Sequence, residues 1–105
     1  QMNAITALSG SGPAYLFYLA EAMAAAGEKL GLAATDSAML ARQTVIGAAE
    51  LLAQSKDSPA ELRRKVTSPG GTTQAAITAL EGGDFFGLMA KALAAAEKRG
   101  GELSR

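Results

Sequence analysis

Apolar side chains recur along this chain at intervals of three and four residues, the spacing that places them on one face of an α-helix. No segment alternates apolar and polar residues as a half-buried strand would. Glycine and proline separate the helical patterns, and the break over 9–13 predicts a kink or the end of a short first helix. A short helix is predicted to begin near residue 2. The later helices are predicted over 13–30, 35 or 36 to 54, 59 to about 66, 72 or 73 to 82, and 85 to an end between 97 and 103. We therefore predict an all-α helical bundle.

The sequence also predicts which residues begin and end several of these helices. Ser58 with Glu61 forms a capping box, and Pro59 between them suits the first helical position. Gly31 is the expected left-handed cap of the helix that ends near residue 30. Asp84 is expected to cap the last helix, and Thr35 or Asp36 the helix that ends near residue 54.

The helix predicted over 13–30 is apolar on nearly every side, unlike the last helix, whose apolar residues form one stripe. A helix of that kind must be covered all round, and the other helices of a chain this short can hardly do so. We therefore predict an obligate oligomer, of which a two-fold dimer is the commonest form. The alternative is burial of this helix within one protomer. Its apolar run, interrupted by Glu21, is too short to span a membrane.

Composition narrows the chemistry. The 105 residues suffice for one domain, 1–105, and they include 24 alanines but no His, Cys or Trp. Thiol and imidazole catalysis, disulfides and conventional zinc sites are therefore excluded. A net charge of zero argues against nucleic-acid binding. The lack of cysteine is compatible with the cytoplasm, and a first residue other than Met suggests a piece of a longer protein.

The strongest candidate site is the run from Val66 to Thr73, which combines four hydroxyls, two glycines and a predicted helix start. The free N–H groups of a helix N-terminus bind anions, so a carboxylate site is plausible, although ordinary capping between two helices would use the same residues. The preceding cluster 63–65 is basic and is either a solvated face or a means of attracting an anion. The Gly-rich run 9–12 lacks the strand and the third glycine of a dinucleotide-binding turn.

Two segments of this chain resemble the pyrroline-5-carboxylate reductase family. One comprises Leu62, the run from Val66 to Thr73, Ala76-Ile77 and Leu80-Glu81, and the other is the run from Thr6 to Tyr15. Both have the family's order and spacing, and the resemblance covers essentially the whole chain. The resemblance implies that the chain is the C-terminal, all-α domain of an oxidoreductase, with a fold of the 6-phosphogluconate-dehydrogenase-like type. In this family the domain forms an intertwined homodimer, and larger assemblies of dimers are known. The family's N-terminal Rossmann domain, which binds NADPH or NADH, has no counterpart in this sequence.

The implied activity is reduction of the cyclic imine 1-pyrroline-5-carboxylate to proline, the last step of proline biosynthesis, in the cytoplasm. Carried over by motif position, Ser68 and the backbone N–H groups of Gly71, Thr72 and Thr73 would hold the substrate carboxylate. The Thr73 hydroxyl would contact the ring nitrogen as a candidate proton donor, and Val66 would line the apolar wall. This piece alone would be inactive. The alternatives are a non-catalytic helical dimerisation module and a reductase of a related cyclic imine.

Overall fold

The computed structural model describes residues 1–104, which are helical throughout apart from short connections. The helices are α1 (Met2–Ile5), a π-helical segment (Thr6–Gly10), α2 (Gly12–Lys29), α3 (Ala34–Gln54), α4 (Pro59–Lys65), α5 (Thr72–Gly82) and α6 (Phe85–Leu103). No strand occurs among these residues, so the all-α prediction is confirmed. The contacts separate the chain into two compact units, one formed by Gly12–Lys56 and the other by Gln1–Ser11 with the chain from Asp57 onward.

The break predicted over 9–13 is a change of helix type. The chain leaves α1 in a π-helical turn, in which the Ser11 N–H donates to the Thr6 carbonyl at 2.8 Å. Ala7 in this turn is 2% exposed, and the turn packs on α6. Helix α2 then begins at Gly12, so Pro13 occupies the second helical position and not the first, where we predicted it. The first turn tolerates proline at either position because its N–H groups have no helical acceptor.

The unit Gly12–Lys56 is a hairpin of α2 and α3. Gly31, with φ of +105°, ends α2, and the Leu32 N–H donates back to the Gly27 carbonyl at 3.1 Å. This is the predicted left-handed cap. The cap predicted for α3 is wrong: α3 begins at Ala34, its N-cap residue is Ala33, and no side chain caps it. Asp36 lies inside the first turn instead, where its negative charge still favours the helix dipole.

A close contact joins the two helices of the hairpin. Ser37 on α3 is 3% exposed, and its hydroxyl donates to the Ala24 carbonyl on α2 at 2.7 Å. Gly27, one turn further along α2, leaves the space that the Ser37 side chain fills, since a Cβ at Gly27 would overlap the Ser37 Oγ. The small residues of this chain therefore allow two helix backbones to approach closely.

In the other unit, α4 and α6 begin as predicted. The Ser58 hydroxyl accepts from the Glu61 N–H at 3.2 Å, with Pro59 at the first helical position. Asp84 adopts a left-handed conformation with φ of 53°, and its carboxylate accepts from the Gly87 N–H at 3.2 Å. Helix α6 packs against α1, the π-helical segment and α5. It runs through Gly100, where an added Cβ would lie 3.2 Å from the Asn3 Oδ1 of α1.

Very little of the described chain is buried. Only Ala7, Ser37 and Ala41 fall in the buried class among residues 1–104. By contrast, Phe17 is 73% and Tyr18 is 74% exposed on α2. The apolar surface that the sequence pattern predicted to need a cover is thus open in a single chain. None of the described helices is long and apolar enough to cross a membrane.

Candidate functional site

The last turn of α4 passes directly into the loop that carries the predicted site. The Arg63 carbonyl accepts both the Val66 N–H, at 3.2 Å, and the Thr67 hydroxyl, at 2.5 Å. The Thr67 N–H donates to the Arg64 carbonyl at 3.1 Å. Carbonyls at a helix C-terminus have no partner within the helix, so these bonds satisfy groups that would otherwise need water. The start of the loop is therefore held to α4 by its own residues.

A tight turn follows at Ser68. The Gly71 N–H donates to the Ser68 carbonyl at 3.0 Å, which closes a four-residue turn with Pro69 and Gly70 at its centre. Gly70 has φ of +72°, and proline followed by a left-handed glycine is typical of a type II turn. A Cβ at Gly71 would lie 3.3 Å from the Ser68 carbonyl oxygen. Local geometry therefore explains both glycines: Gly70 adopts a positive φ, and Gly71 lies too close to the Ser68 carbonyl for a side chain to fit easily.

Helix α5 starts where this turn ends, and its first N–H groups are free. Gly71 is the N-cap residue, and no side chain caps the helix. The first bond of the helix runs from the Ala75 N–H to the Gly71 carbonyl at 3.2 Å. The backbone N–H groups of Thr72, Thr73 and Gln74 consequently have no acceptor within the helix. Three N–H groups at the positive end of a helix dipole form a binding surface for an anion such as a carboxylate.

The predicted site residues lie within this one segment. The hydroxyls of Ser68 and Thr72 are exposed, Thr73 is half-buried, and none of the three makes a hydrogen bond within the described part of the chain. Val66 is 62% exposed, so its apolar side chain has no cover in a single chain. Each of these groups is available to a ligand.

Two N–H groups differ from the sequence-based assignment. We expected the Gly71 N–H to bind a carboxylate, but the turn already uses it for the Ser68 carbonyl. The Gln74 N–H, which sequence reasoning overlooked, is free instead. Counting three residues from Thr72, one of the two predicted helix starts, would have found it, because the first three N–H groups after an N-cap residue lack helical acceptors. The Gln74 side chain is occupied, since its amide donates to the Thr78 hydroxyl at 3.1 Å.

The basic cluster before the loop is partly neutralised. Arg64 pairs with Glu61, and Lys65 pairs with Asp57. The hydrogen bond from Lys65 to Asp57, with the attraction between their charges, raises the pKa of the Lys65 ammonium. Arg63 forms no ion pair with any residue that the structure describes. The Arg63 side chain lines a surface cavity with Ile77, Leu80 and Glu81, and no residue of the first turn of α5 lines the same cavity.

The Gly-rich run at residues 9–12 does not form a nucleotide site. Gly10 ends the π-helical segment and contacts the Thr6 side chain, and Gly12 opens α2. No strand precedes this run in the described chain, so the glycines do not form the strand-to-helix turn that cradles a dinucleotide pyrophosphate. The residues present do not fit a nicotinamide cofactor's phosphates. No group of three or more acidic residues among residues 1–104 is arranged to hold a metal ion.

Comparison with known proteins gives consistent matches over the whole chain. The family model for pyrroline-5-carboxylate reductase dimerisation matches residues 1–103. A pyrroline-5-carboxylate reductase from Pseudomonas aeruginosa is 52% identical over 104 residues, covering 99% of this chain and 38% of that protein. A second, from Glycine max, is 50% identical over 102 residues, covering 97% of this chain and 37% of that protein. The chain therefore spans well under half the length of these relatives.

Two solved structures have the same arrangement of helices. The pyrroline-5-carboxylate reductase of Coxiella burnetii superimposes with a TM-score of 0.95 at 50% identity, covering 100% of this chain and 39% of that one. The Plasmodium falciparum pyrroline carboxylate reductase, solved with NADP bound, gives a TM-score of 0.87 at 35% identity, covering 93% of this chain and 37% of that one.

Proposed function

Because this chain belongs to the pyrroline-5-carboxylate reductase dimerisation family, we propose that it is the dimerisation and substrate-binding domain of a reductase that converts 1-pyrroline-5-carboxylate to proline. The reaction adds a hydride to the imine carbon and a proton to the ring nitrogen. The relatives that carry this name extend well beyond the matched residues. The activity is therefore assigned to the full-length protein, and the chain alone is expected to be inactive.

The observation that carries this proposal is the start of α5. The N–H groups of Thr72, Thr73 and Gln74 have no helical acceptor, and three free hydroxyls lie in the same short segment. The substrate has one carboxylate and one imine, so it needs an anion site together with a group that can donate to nitrogen. A site built from backbone N–H groups and hydroxyls meets both needs without histidine or cysteine.

Each site residue has a proposed task. Ser68 and the N–H groups of Thr72 and Thr73 hold the carboxylate, and Gln74 supplies a third N–H. Gly71 joins this set only by sharing its N–H with the Ser68 carbonyl. The Thr73 hydroxyl donates a hydrogen bond to the ring nitrogen and is the candidate proton donor. Val66 provides an apolar wall that orients the ring.

The cofactor is proposed to be NADPH or NADH, which supplies the hydride when bound. NADP in the Plasmodium falciparum structure supports a nicotinamide cofactor in this family. The run at residues 9–12 is helical and does not form the strand-to-helix turn that holds a dinucleotide pyrophosphate. We therefore assign most of the cofactor contacts to a nucleotide-binding domain outside the matched residues.

A homodimer is the proposed state of this domain. The family model concerns dimerisation, and α2 leaves about three quarters of Phe17 and Tyr18 exposed in a single chain. Covering large aromatic side chains is strongly favourable, so a second copy of this domain is the expected partner. A larger assembly of such dimers and a cytoplasmic location stay predictions.

The test is cofactor oxidation by the full-length protein with and without 1-pyrroline-5-carboxylate. We expect oxidation of NADPH or NADH that depends on the substrate and yields proline. A folded oligomer that oxidises neither cofactor would contradict the proposal. That result would favour a dimerisation module without catalysis or a reductase of another cyclic imine.

A further inference from the structure

Thr67 stands between two proposed substrate-binding residues but has no assigned task. Its hydroxyl is occupied, because it donates to the Arg63 carbonyl at 2.5 Å. Its backbone N–H is also occupied, since it donates to the Arg64 carbonyl at 3.1 Å. Thr67 is half-buried, whereas Val66 and Ser68 on either side of it are exposed. Its polar groups thus point to the last turn of α4 and are not free for a ligand.

These two bonds fix the orientation of the residue. The hydroxyl bond holds the Thr67 side chain in one rotamer, and the N–H bond holds the backbone that leads into it. The neighbouring Ser68 hydroxyl has no hydrogen bond of its own within the described chain. The point from which that hydroxyl extends is therefore set by the backbone on each side, by Thr67 before it and by the turn to Gly71 after it.

We propose that Thr67 is a positioning residue, which anchors the loop to α4 so that Val66 and Ser68 meet the substrate in a fixed geometry. This inference rests on the proposed function, because it takes Val66 and Ser68 as substrate-binding residues. Thr67 itself does not touch the substrate. Its hydroxyl acts through the backbone, by reducing the number of loop conformations among which binding must select.

Loss of the Thr67 hydroxyl is expected to change the substrate affinity of the full-length enzyme and not its turnover. Ser68 contacts the carboxylate, which does not change during the reaction, so its misplacement weakens substrate and transition state alike. Such a loss raises KM and leaves kcat nearly unchanged. Loss of one hydrogen bond of this kind corresponds to an increase in KM of roughly three- to tenfold.

Three variants separate the hydroxyl from the shape of the side chain. Thr67→Val removes the hydroxyl and keeps the branched shape, Thr67→Ser keeps the hydroxyl, and Thr67→Ala is a second hydroxyl-free variant with a smaller side chain. Thr44→Val is the matched control, since the Thr44 hydroxyl also donates to a carbonyl four residues earlier, that of Leu40, at 2.7 Å. KM and kcat are measured for 1-pyrroline-5-carboxylate at saturating cofactor, well below the unfolding midpoint of each variant.

We expect Thr67→Val and Thr67→Ala to raise KM roughly three- to tenfold. Thr67→Ser and Thr44→Val should both keep the wild-type KM. Thr67→Val should raise KM less in a Ser68→Ala variant than in the wild-type enzyme, because Thr67 acts on the substrate through Ser68. A wild-type KM in Thr67→Val, or an equal rise in Thr67→Ser, would overturn the positioning role. A wild-type enzyme that does not use this substrate, or a Ser68→Ala variant with unchanged KM, would instead contradict the proposed function.

Discussion

The α2–α3 hairpin buries Ser37 and Ala41, whereas no residue of the loop from Val66 to Gly71 is fully buried and Thr67 is half-buried. The hairpin is joined by a bond between residues 13 positions apart, Ser37 to Ala24. The bonds of the loop connect residues no more than four positions apart. The hairpin also leaves apolar side chains uncovered, while the loop and the first turn of α5 leave hydroxyl and N–H groups uncovered. One region is suited to association with another chain, and the other to binding a small polar ligand.

The largest expected effect comes from the start of α5, which follows the loop, and concerns activity. Thr73→Ala should lower kcat of the full-length enzyme by about 10²-fold, as is typical when a proton donor is lost. The dimer and the unfolding midpoint should be unchanged, because the Thr73 hydroxyl makes no hydrogen bond within the described chain. Steady-state kinetics, light scattering and thermal unfolding measure the three quantities. Thr73→Ser is the control, and wild-type turnover in Thr73→Ala would remove Thr73 from the mechanism.

The next effect comes from the hairpin and concerns assembly. Phe17 is 73% exposed in a single chain, and Phe17→Asp should weaken the dimer by about 2–4 kcal/mol if a second copy covers it. Sedimentation equilibrium of the wild type and the variant measures this change. Phe17→Leu keeps an apolar side chain and should dissociate much less. A wild-type protein that sediments as a stable monomer would contradict the proposed dimer.

A smaller effect is expected from the close contact inside the hairpin. Gly27→Ala would place a Cβ against the Ser37 side chain and should lower the free energy of unfolding by roughly 1–3 kcal/mol. Gly47→Ala in α3 is the matched control, because nothing lies within 4 Å of its Cβ position. That substitution should stabilise α3 by roughly 0.5–1 kcal/mol. Chemical denaturation compares the two, and an equal loss in both variants would show that the Ser37 contact is not the cause.

The smallest effect concerns the exposed ion pair before the loop. The pKa of Lys65 is raised by its hydrogen bond to Asp57 and by the Asp57 charge. Because this pKa is higher in the folded chain than in the unfolded chain, the pair stabilises the fold fully at any pH below the pKa of lysine in the unfolded chain. The stabilisation is lost as the pH rises through the pKa of Lys65 in the folded chain. Lys65→Met should therefore lower the unfolding midpoint slightly at neutral pH.

That difference should vanish at alkaline pH, beyond the raised pKa of Lys65. Thermal unfolding across this range measures it, with Lys91→Met as control because Lys91 forms no ion pair among residues 1–104. A difference between Lys65→Met and the wild type that grows with pH would contradict the assigned sign.

Local sequence signals predicted the elements around the site well. The N-cap at Ser58, the left-handed Gly31 and the start of α5 at Thr72 lie where expected, but only the Ser58 half of the capping box forms, since the Glu61 carboxylate pairs with Arg64. At these positions the local structure depends on residues at most a few positions apart in the chain, so residue preferences alone predict where the helix begins or ends. The predicted cap of α3 was wrong because the helix begins at Ala34, so both candidate residues lie inside its first turn.

The sequence alone was enough for the all-α class, the order of the helices and the segment that offers free N–H groups and hydroxyls, because each depends on near neighbours. It did not reveal that the Gly71 N–H is used by the turn, that Thr67 is tied to α4, or that Gly27 admits Ser37. These features depend on distances between atoms in three dimensions, and several arrangements satisfy the same pattern of residue types. The occupied Gly71 N–H, the Thr67 bonds and the Gly27 contact could be recognised only once the chain was folded, because satisfying backbone groups and filling space are properties of the packed molecule.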